Sequence, residues 1–329
     1  MSLHEMVREA TGAQAAERVE VIQSLWSGYG EIVRYRLHGA ASESAILKHV
    51  VFPSRVHHPR GWHNDRSHRR KVRSYEVEMA WYHDFAARCD VRCRVPHCHA
   101  SATIGEDHLM VLEDLDASGF PLRVQSPDLE QIRACLSWLA YFHAAFLEQR
   151  PDGLWPVGTY WHLATRPDEL AAMQATGDNA ALRDAAPVID SMLSTARFQT
   201  LVHGDAKLAN FCFAKDATAD GIHVAAVDFQ YVGGGCGIRD VAYFLGSCLD
   251  DRENERHEAM LLEHYFAELA RALAKRGRES EAAALEHEWR ALMPVAQADF
   301  YRFLVGWMPT HRKINDYSKR VTMQVLRSL

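Results

Sequence analysis

The apolar residues of this chain change period near residue 120, and that change limits the fold more than any other feature. In EIVRYRL (31–37) Val33, Tyr35 and Leu37 alternate with Arg34 and Arg36. That is the period-two pattern of a half-buried antiparallel strand. AILKHVVF (45–52) and DHLMVLEDL (107–115) are short apolar runs of strand length. Between them, RSYEVEMAWYHDFAARC (73–89) repeats Val77, Trp81 and Phe85 at fourfold spacing, which predicts a helix. The early order therefore reads strand, turn, strand, strand, helix, strands.

Beyond residue 120 the stripes are helical. Ser126-Pro127 reads as a cap followed by proline at the first helical position. Behind it stand Leu129, Ile132, Leu136, Leu139, Phe142 and Phe146. A second helix is expected over 253–276, stopped by Gly277, and more from 280 to about 307. Only 199–230 interrupts them, with the short apolar runs TLVHGD and VAAVDF. At 329 residues one core rarely serves the whole chain. The expectation is an α+β protein with a small antiparallel-sheet lobe over 1–114 and a larger, mainly helical lobe over 115–329. The junction falls in LEDLDASGFP (112–121).

Composition narrows the partners. A net charge of −6 gives no general attraction to nucleic acid or to an acidic membrane surface. No apolar run reaches bilayer length, and the first residues carry no secretory h-region. Seven cysteines, several inside apolar runs, suit buried reduced thiols. A soluble, cytoplasmic protein follows as an expectation, with its oligomeric state open.

The chemistry concentrates in LVHGDAKLANFCF (201–213), where His203, Asp205, Lys207 and Asn210 lie between apolar runs. Its downstream partner is VAAVDFQ (224–230), with Asp228. Hard cations such as Mg2+ take carboxylate and carbonyl oxygens, and a further carboxylate kept off the metal can accept a hydroxyl proton. Asp205 for the nucleophile, with Asn210 and Asp228 for the metal, is a phosphoryl-transfer set. That chemistry also needs positive charge and backbone donors near phosphates. In WSGYGEIVRYRL (26–37), Gly28 and Gly30 would let backbone approach phosphate oxygens. Lys48 sits in an apolar run and needs a carboxylate, for which Glu78 or Glu76 is available. The chain has neither a P-loop nor a dinucleotide fingerprint, since Val33 stands where a third glycine belongs.

These residues resemble the aminoglycoside phosphotransferase and choline kinase family of the protein-kinase-like fold, most of all its ecdysteroid-kinase-like branch. HGDAKLAN is similar to the H-G-D-x-x-x-x-N loop, VDFQ to the metal turn, and EMAWY to the helix motif. MVLEDL, YFHA and RDVAYFL fit the strand before the hinge, the end of the first long helix, and the segment after the metal turn. The resemblance runs from about residue 25 to 250. It implies an ATP- and Mg2+-dependent kinase acting on a hydroxyl of a small molecule. By it, Asp205 is the base, Asn210 and Asp228 hold Mg2+, and Lys48 contacts the α- and β-phosphates while pairing with Glu78. His203 and Asp240 brace the loop, and the backbone at Glu113–Leu115 faces the adenine. Choline- or aminoglycoside-type acceptors, GTP in place of ATP, and a catalytically silent nucleotide binder stay open. Gln230 leans slightly towards a neutral hydroxylated acceptor.

Two other segments invite readings. HHPRGWHNDRSHRRKVR (57–73) has the histidines of a metal site and the basic residues of a phosphate or nucleic-acid site, but its Pro and Gly favour a solvated loop. CDVRCRVPHCHA (89–100) misses the paired spacing of structural zinc sites. Asp250, Asp251, Glu253 and Glu255 could draw a cation, and Tyr301, Phe303 and Trp307 could cage a quaternary ammonium. An acidic helix start and core aromatics at helical spacing explain the same residues.

Overall fold

A computed structural model describes residues 2–25, 28–52, 65–174, 177–218 and 221–329. Its contacts divide the chain into two compact units. The first comprises Met1–Asp90, Arg94–Arg123 and Cys212–Gln230. The second comprises Val91–Cys93, Val124–Phe211 and Tyr231–Leu329.

The first unit is built on an antiparallel sheet. Its strands are β1 (Ala15–Ser24), β2 (Gly30–His38), β3 (Ser44–Val50), β4 (Cys98–Ile104) and β5 (Asp107–Glu113), in the order β1-β2-β3-β5-β4. The alternation in β2 does what its spacing predicts, burying Val33, Tyr35 and Leu37. With Ala45, Leu47, Leu109 and Val111 they form one face, covered by Met6 and Val7 of α1 (Leu3–Thr11). That helix precedes the first expected strand. Its signals are a capping box between Ser2 and Glu5 and a left-handed Gly12 at its end, φ 66°.

Side chains one residue out of phase point the other way. That face meets α2 (Asp65–Asp84), whose Tyr75 packs with Val50, Leu25 and Tyr29. The helix thus begins eight residues before Arg73. The stretch from 65 to 73 is helical rather than loop, because its glycine and prolines all lie upstream of Asp65. Residues 57–64 of the histidine-rich segment, with His57, His58 and His63, fall outside the described residues. Arg34 ties the sheet to the acidic stretch after β5, donating to Asp114 (2.7 Å) and Asp116 (2.5 Å).

A later part of the chain joins this unit. Phe213, in β7 (Phe211–Phe213), bridges to Leu122, and Ala225, in β8 (Val224–Ala226), bridges to Arg94. Cys212, Leu115 and Ala225 are buried together.

The second unit is helical. It contains α3 (Leu129–Ala145), α4 (Pro167–Ala172), α5 (Gly177–Ser194), α6 (Ile238–Cys248), α7 (Asp251–Ala274), α8 (Ala282–Trp307) and α9 (Asp316–Ser328). The stripe of α3 buries Ile132, Leu136, Leu139 and Phe142, as expected. Its cap is Asp128, boxed with Gln131, rather than Ser126, so Pro127 lies just outside the helix. A two-stranded ribbon of β6 (Thr200–Val202) and β9 (Gly233–Gly235) supports the loop that follows β6. Among the described residues no helix is long and apolar enough to cross a membrane.

Candidate active site

In the first unit Lys48 is buried on the α2 face of β3. Its Nζ donates to both carboxylate oxygens of Glu78, at 2.6 and 2.9 Å. Helix phase decides between the two glutamates, since Glu76 is exposed and bound to Arg73. Burial pushes the Glu78 carboxyl up, and Lys48 pulls it partly back. A buried pair of this kind holds geometry more than it adds stability.

The turn bearing Asp228 belongs to the same unit. Asp228 Oδ1 lies 3.9 Å from Lys48 Nζ. Its φ of 69° lies in the left-handed region that non-glycine residues seldom occupy. Such strain persists only where neighbours over-determine the backbone. Here Phe229 stacks on Trp81 of α2 (4.5 Å between centroids, 15° between planes), and Lys71 donates to Gln230 Oε1 at 2.6 Å.

The second unit holds the loop from His203 to Asn210. Asp240, at the start of α6, is fully buried and accepts from the backbone N–H of His203 (2.6 Å) and Gly204 (3.0 Å). His143 of α3 lies 3.2 Å from the same carboxylate. Gly204 sits at φ 79°, where a Cβ would come within 2.0 Å of the Tyr231 carbonyl oxygen. Only glycine fits there. His203 braces the residue two positions on, its Nδ1 accepting from the Asp205 N–H at 3.2 Å.

Three donors hold the Asp205 carboxylate. Lys207 Nζ (2.8 Å) and Asn210 Nδ2 (3.2 Å) reach Oδ2, and the Tyr243 hydroxyl (3.0 Å) reaches Oδ1. Asn210 Nδ2 also donates to the Asp205 carbonyl at 2.8 Å. That fixes the amide by its hydrogen bonds and makes Oδ1 the oxygen it could offer an ion. Magnesium wants hard oxygen donors, one or two from protein with phosphates and water completing the shell. An amide oxygen on Asn210 and the partly exposed carboxylate of Asp228 are of that kind, so each donor suits the ion.

Asp205 opens onto a cavity of about 600 Å³ within the second unit. Tyr160, Tyr231, Tyr243, Phe300 and Trp307 wall it, and Lys207, Arg312 and Lys313 bring positive charge. Arg312 and Lys313, on the connection from α8 to α9, were not anticipated. Nothing in the local pattern HRKIN marks them, since they lie more than a hundred positions from Asp205.

The remaining candidates fall as follows. Gly30 (φ 109°) is demanded by strand pairing, since a Cβ would meet the His49 carbonyl oxygen at 2.0 Å. Gly28 (φ 77°) has nothing within 4 Å of its Cβ position and stays open to close approach. The Glu113 N–H donates to His97 at 2.8 Å and its side chain binds Arg94, while the Leu115 carbonyl accepts from Phe120 at 2.8 Å. Asp250 and Glu253 form the capping box of α7, and Glu255 pairs with Arg320. Tyr301 lines a separate cavity of about 250 Å³, Trp307 lines the larger one, and Phe303 is buried against Trp307. The three aromatics therefore form no single cage. Among the described residues no three His, Cys, Asp or Glu side chains cluster as a metal site.

Comparison with known proteins follows this geometry. A profile of the ecdysteroid kinase-like family matches residues 40–151 and 167–278, about two thirds of the chain. No curated protein matches the sequence. The microcompartment-associated aminopropanol kinase is 15% identical, aligned over 97% of this chain and 93% of its own, with a TM-score of 0.47. An aminoglycoside phosphotransferase from Streptomyces rimosus, in complex with ADP and streptomycin, is 16% identical over 79% and 90%, with a TM-score of 0.44. An aminoglycoside-3'-phosphotransferase of type VIII is 15% identical over 84% and 93%, at 0.43.

Proposed function

The chain belongs to the ecdysteroid kinase-like family, and from that premise we propose that it is an ATP- and Mg2+-dependent phosphotransferase acting on a hydroxyl group of a small molecule. The observation that carries the reading is the buried Lys48, paired with Glu78 at 2.6 Å and 3.9 Å from an Asp228 in strained backbone. A lysine so placed is a fixed positive charge for nucleotide phosphates, and Asp228 is an oxygen ligand for their metal. Asn210 would supply a further oxygen ligand. The metal would neutralise charge on the phosphates.

Asp205 takes the proton from the acceptor hydroxyl. The freed oxygen bonds to the γ-phosphorus, the bond to the ADP oxygen breaks, and ADP leaves. Lys207 and Tyr243 hold the carboxylate in place by hydrogen bonds to its two oxygens. Asp240 positions the loop through two backbone amides. The small-molecule acceptor is the partner in this reading, with no call for nucleic acid or membrane, and free thiols at all seven cysteines suit the cytoplasm.

The test is an ATP-consumption screen with Mg2+ over alcohols, amino alcohols, steroids and aminoglycosides. Asp205→Ala should lower kcat by about 10²- to 10⁴-fold while keeping nucleotide binding. A variant as fast as its parent would refute the base assignment. Stabilisation by Mg·ATP with no turnover on any acceptor would make the protein a silent nucleotide binder.

A further inference from the structure

The cavity beside Asp205 holds more positive charge than one carboxylate balances. Lys207 already pairs with Asp205 at 2.8 Å. Arg312 and Lys313 face the same space, and among the described residues neither forms an ion pair, although both also line the smaller cavity that Asp250 and Asp251 border. The Lys313 ammonium lies instead over the rings of Tyr243 (4.5 Å to the centroid) and Phe300 (5.2 Å). Ring faces attract a cation without neutralising it.

Holding that charge is unfavourable. Burial lowers the Lys313 ammonium to about 8, Arg312 presses the same way, and Asp205 offsets this only in part. A chain gains nothing from a partly buried, uncompensated ammonium unless something else supplies the counter-charge. The backbone nonetheless fixes it in place. Lys313 N–H donates to His311 Nδ1 (3.2 Å), Ile314 N–H to the His311 carbonyl (2.8 Å), and Asn315 caps α9 directly after. A charge held rigid at a cavity wall is preorganised for a ligand of opposite sign.

We propose that the acceptor carries an anionic group, such as a carboxylate, bound by Lys313 and Arg312 while its hydroxyl faces Asp205; this deepens the phosphotransferase reading and rests on it. A cationic acceptor is disfavoured, because it would meet two unpaired positive charges. A nucleotide phosphate carries charge of the same sign as such a group. The aromatic walls and a volume of about 600 Å³ favour an organic acceptor, since a phosphate makes no use of ring faces.

Three probes of one shape test the charge. They are 4-(hydroxymethyl)benzoate, 1,4-benzenedimethanol and 4-(hydroxymethyl)benzylamine. Each is titrated calorimetrically into the full chain without nucleotide, then offered as an acceptor with Mg·ATP. The benzoate should bind about tenfold more tightly than the diol, with the amine weakest. Lys313→Met should erase that preference, so that benzoate and diol bind alike, and Arg312→Gln should reduce it should the first variant fold poorly. The inference is overturned by an amine that binds as well as the benzoate, or by no binding of any probe. It is also overturned if Lys313→Met raises KM for ATP yet keeps the benzoate preference, since the cations then serve the nucleotide. Turnover of the diol or amine but not the benzoate defeats the anionic acceptor and leaves the kinase standing. Benzoate binding with no turnover on any acceptor upholds the anion site and defeats the kinase reading.

Discussion

Replacing Lys313 with methionine keeps an unbranched side chain, one atom shorter, and removes its charge. In the parent, burial lowers the ammonium from its usual 10.5 to about 8. At about 1.4 kcal/mol per pH unit, carrying that charge at neutral pH costs the fold about 3 kcal/mol. The rings of Tyr243 and Phe300 return about 1 kcal/mol through cation–π attraction, which the variant loses. The net expectation is a variant more stable by about 1–2 kcal/mol, or about 2–4 °C in Tm. The sign has a pH signature. Below about pH 8 the folded and unfolded chains both hold the proton, and the full cost stands. Between about 8 and 10.5 the unfolded chain holds more protons, so parent stability rises with pH. Methionine has no such titration, so the advantage of Lys313→Met should be complete at pH 7 and nearly gone by pH 10.5. Urea melts followed by tryptophan fluorescence at the two pH values read this directly. Equal or lower stability of the variant at pH 7, or a gain that does not shrink in base, refutes the claim that Lys313 is an uncompensated charge.

Asp240→Asn removes the charge that accepts two backbone amides and faces His143; a loss of about 2–3 kcal/mol is expected in urea melts, with kcat falling as the Asp205 loop loosens. Gly30→Ala should abolish soluble folded protein, because its Cβ would overlap the His49 carbonyl. Gly28→Ala should cost only about 1–2 kcal/mol in a thermal melt, since that position is strained but open. Tyr243→Phe deletes the donor to Asp205 Oδ1 and should lower kcat about tenfold, with KM for ATP unchanged in steady-state kinetics.

Local spacing made much of the frame legible. Alternation in EIVRYRL placed Val33, Tyr35 and Leu37 on a buried face, and the stripe of α3 placed Phe142 in a core. The capping box of Ser2 and Glu5 was readable as well, but a helix of nine residues carries too short a stripe to stand out. The start of α2 escaped because Arg66 to Arg73 has no apolar period, and neighbouring Pro and Gly outweighed helix propensity. Ser126 lost the cap to Asp128 because the reciprocal bond from Gln131 fits only the latter.

The chemistry divides along the same line. By itself the sequence determined that a lysine lay inside an apolar strand and that Asp205 and Asn210 shared one loop, since both facts depend on neighbours in the chain. The family resemblance pointed to Glu78, but the residues by themselves left Glu76 open, and tertiary structure decided for Glu78, because helix phase against a sheet is set by packing. It also brought Lys313 over Tyr243 and Phe300, beside the cavity of Asp205. Charges from distant segments add up only once folding has put them around one space, and no period or spacing in the chain records that sum.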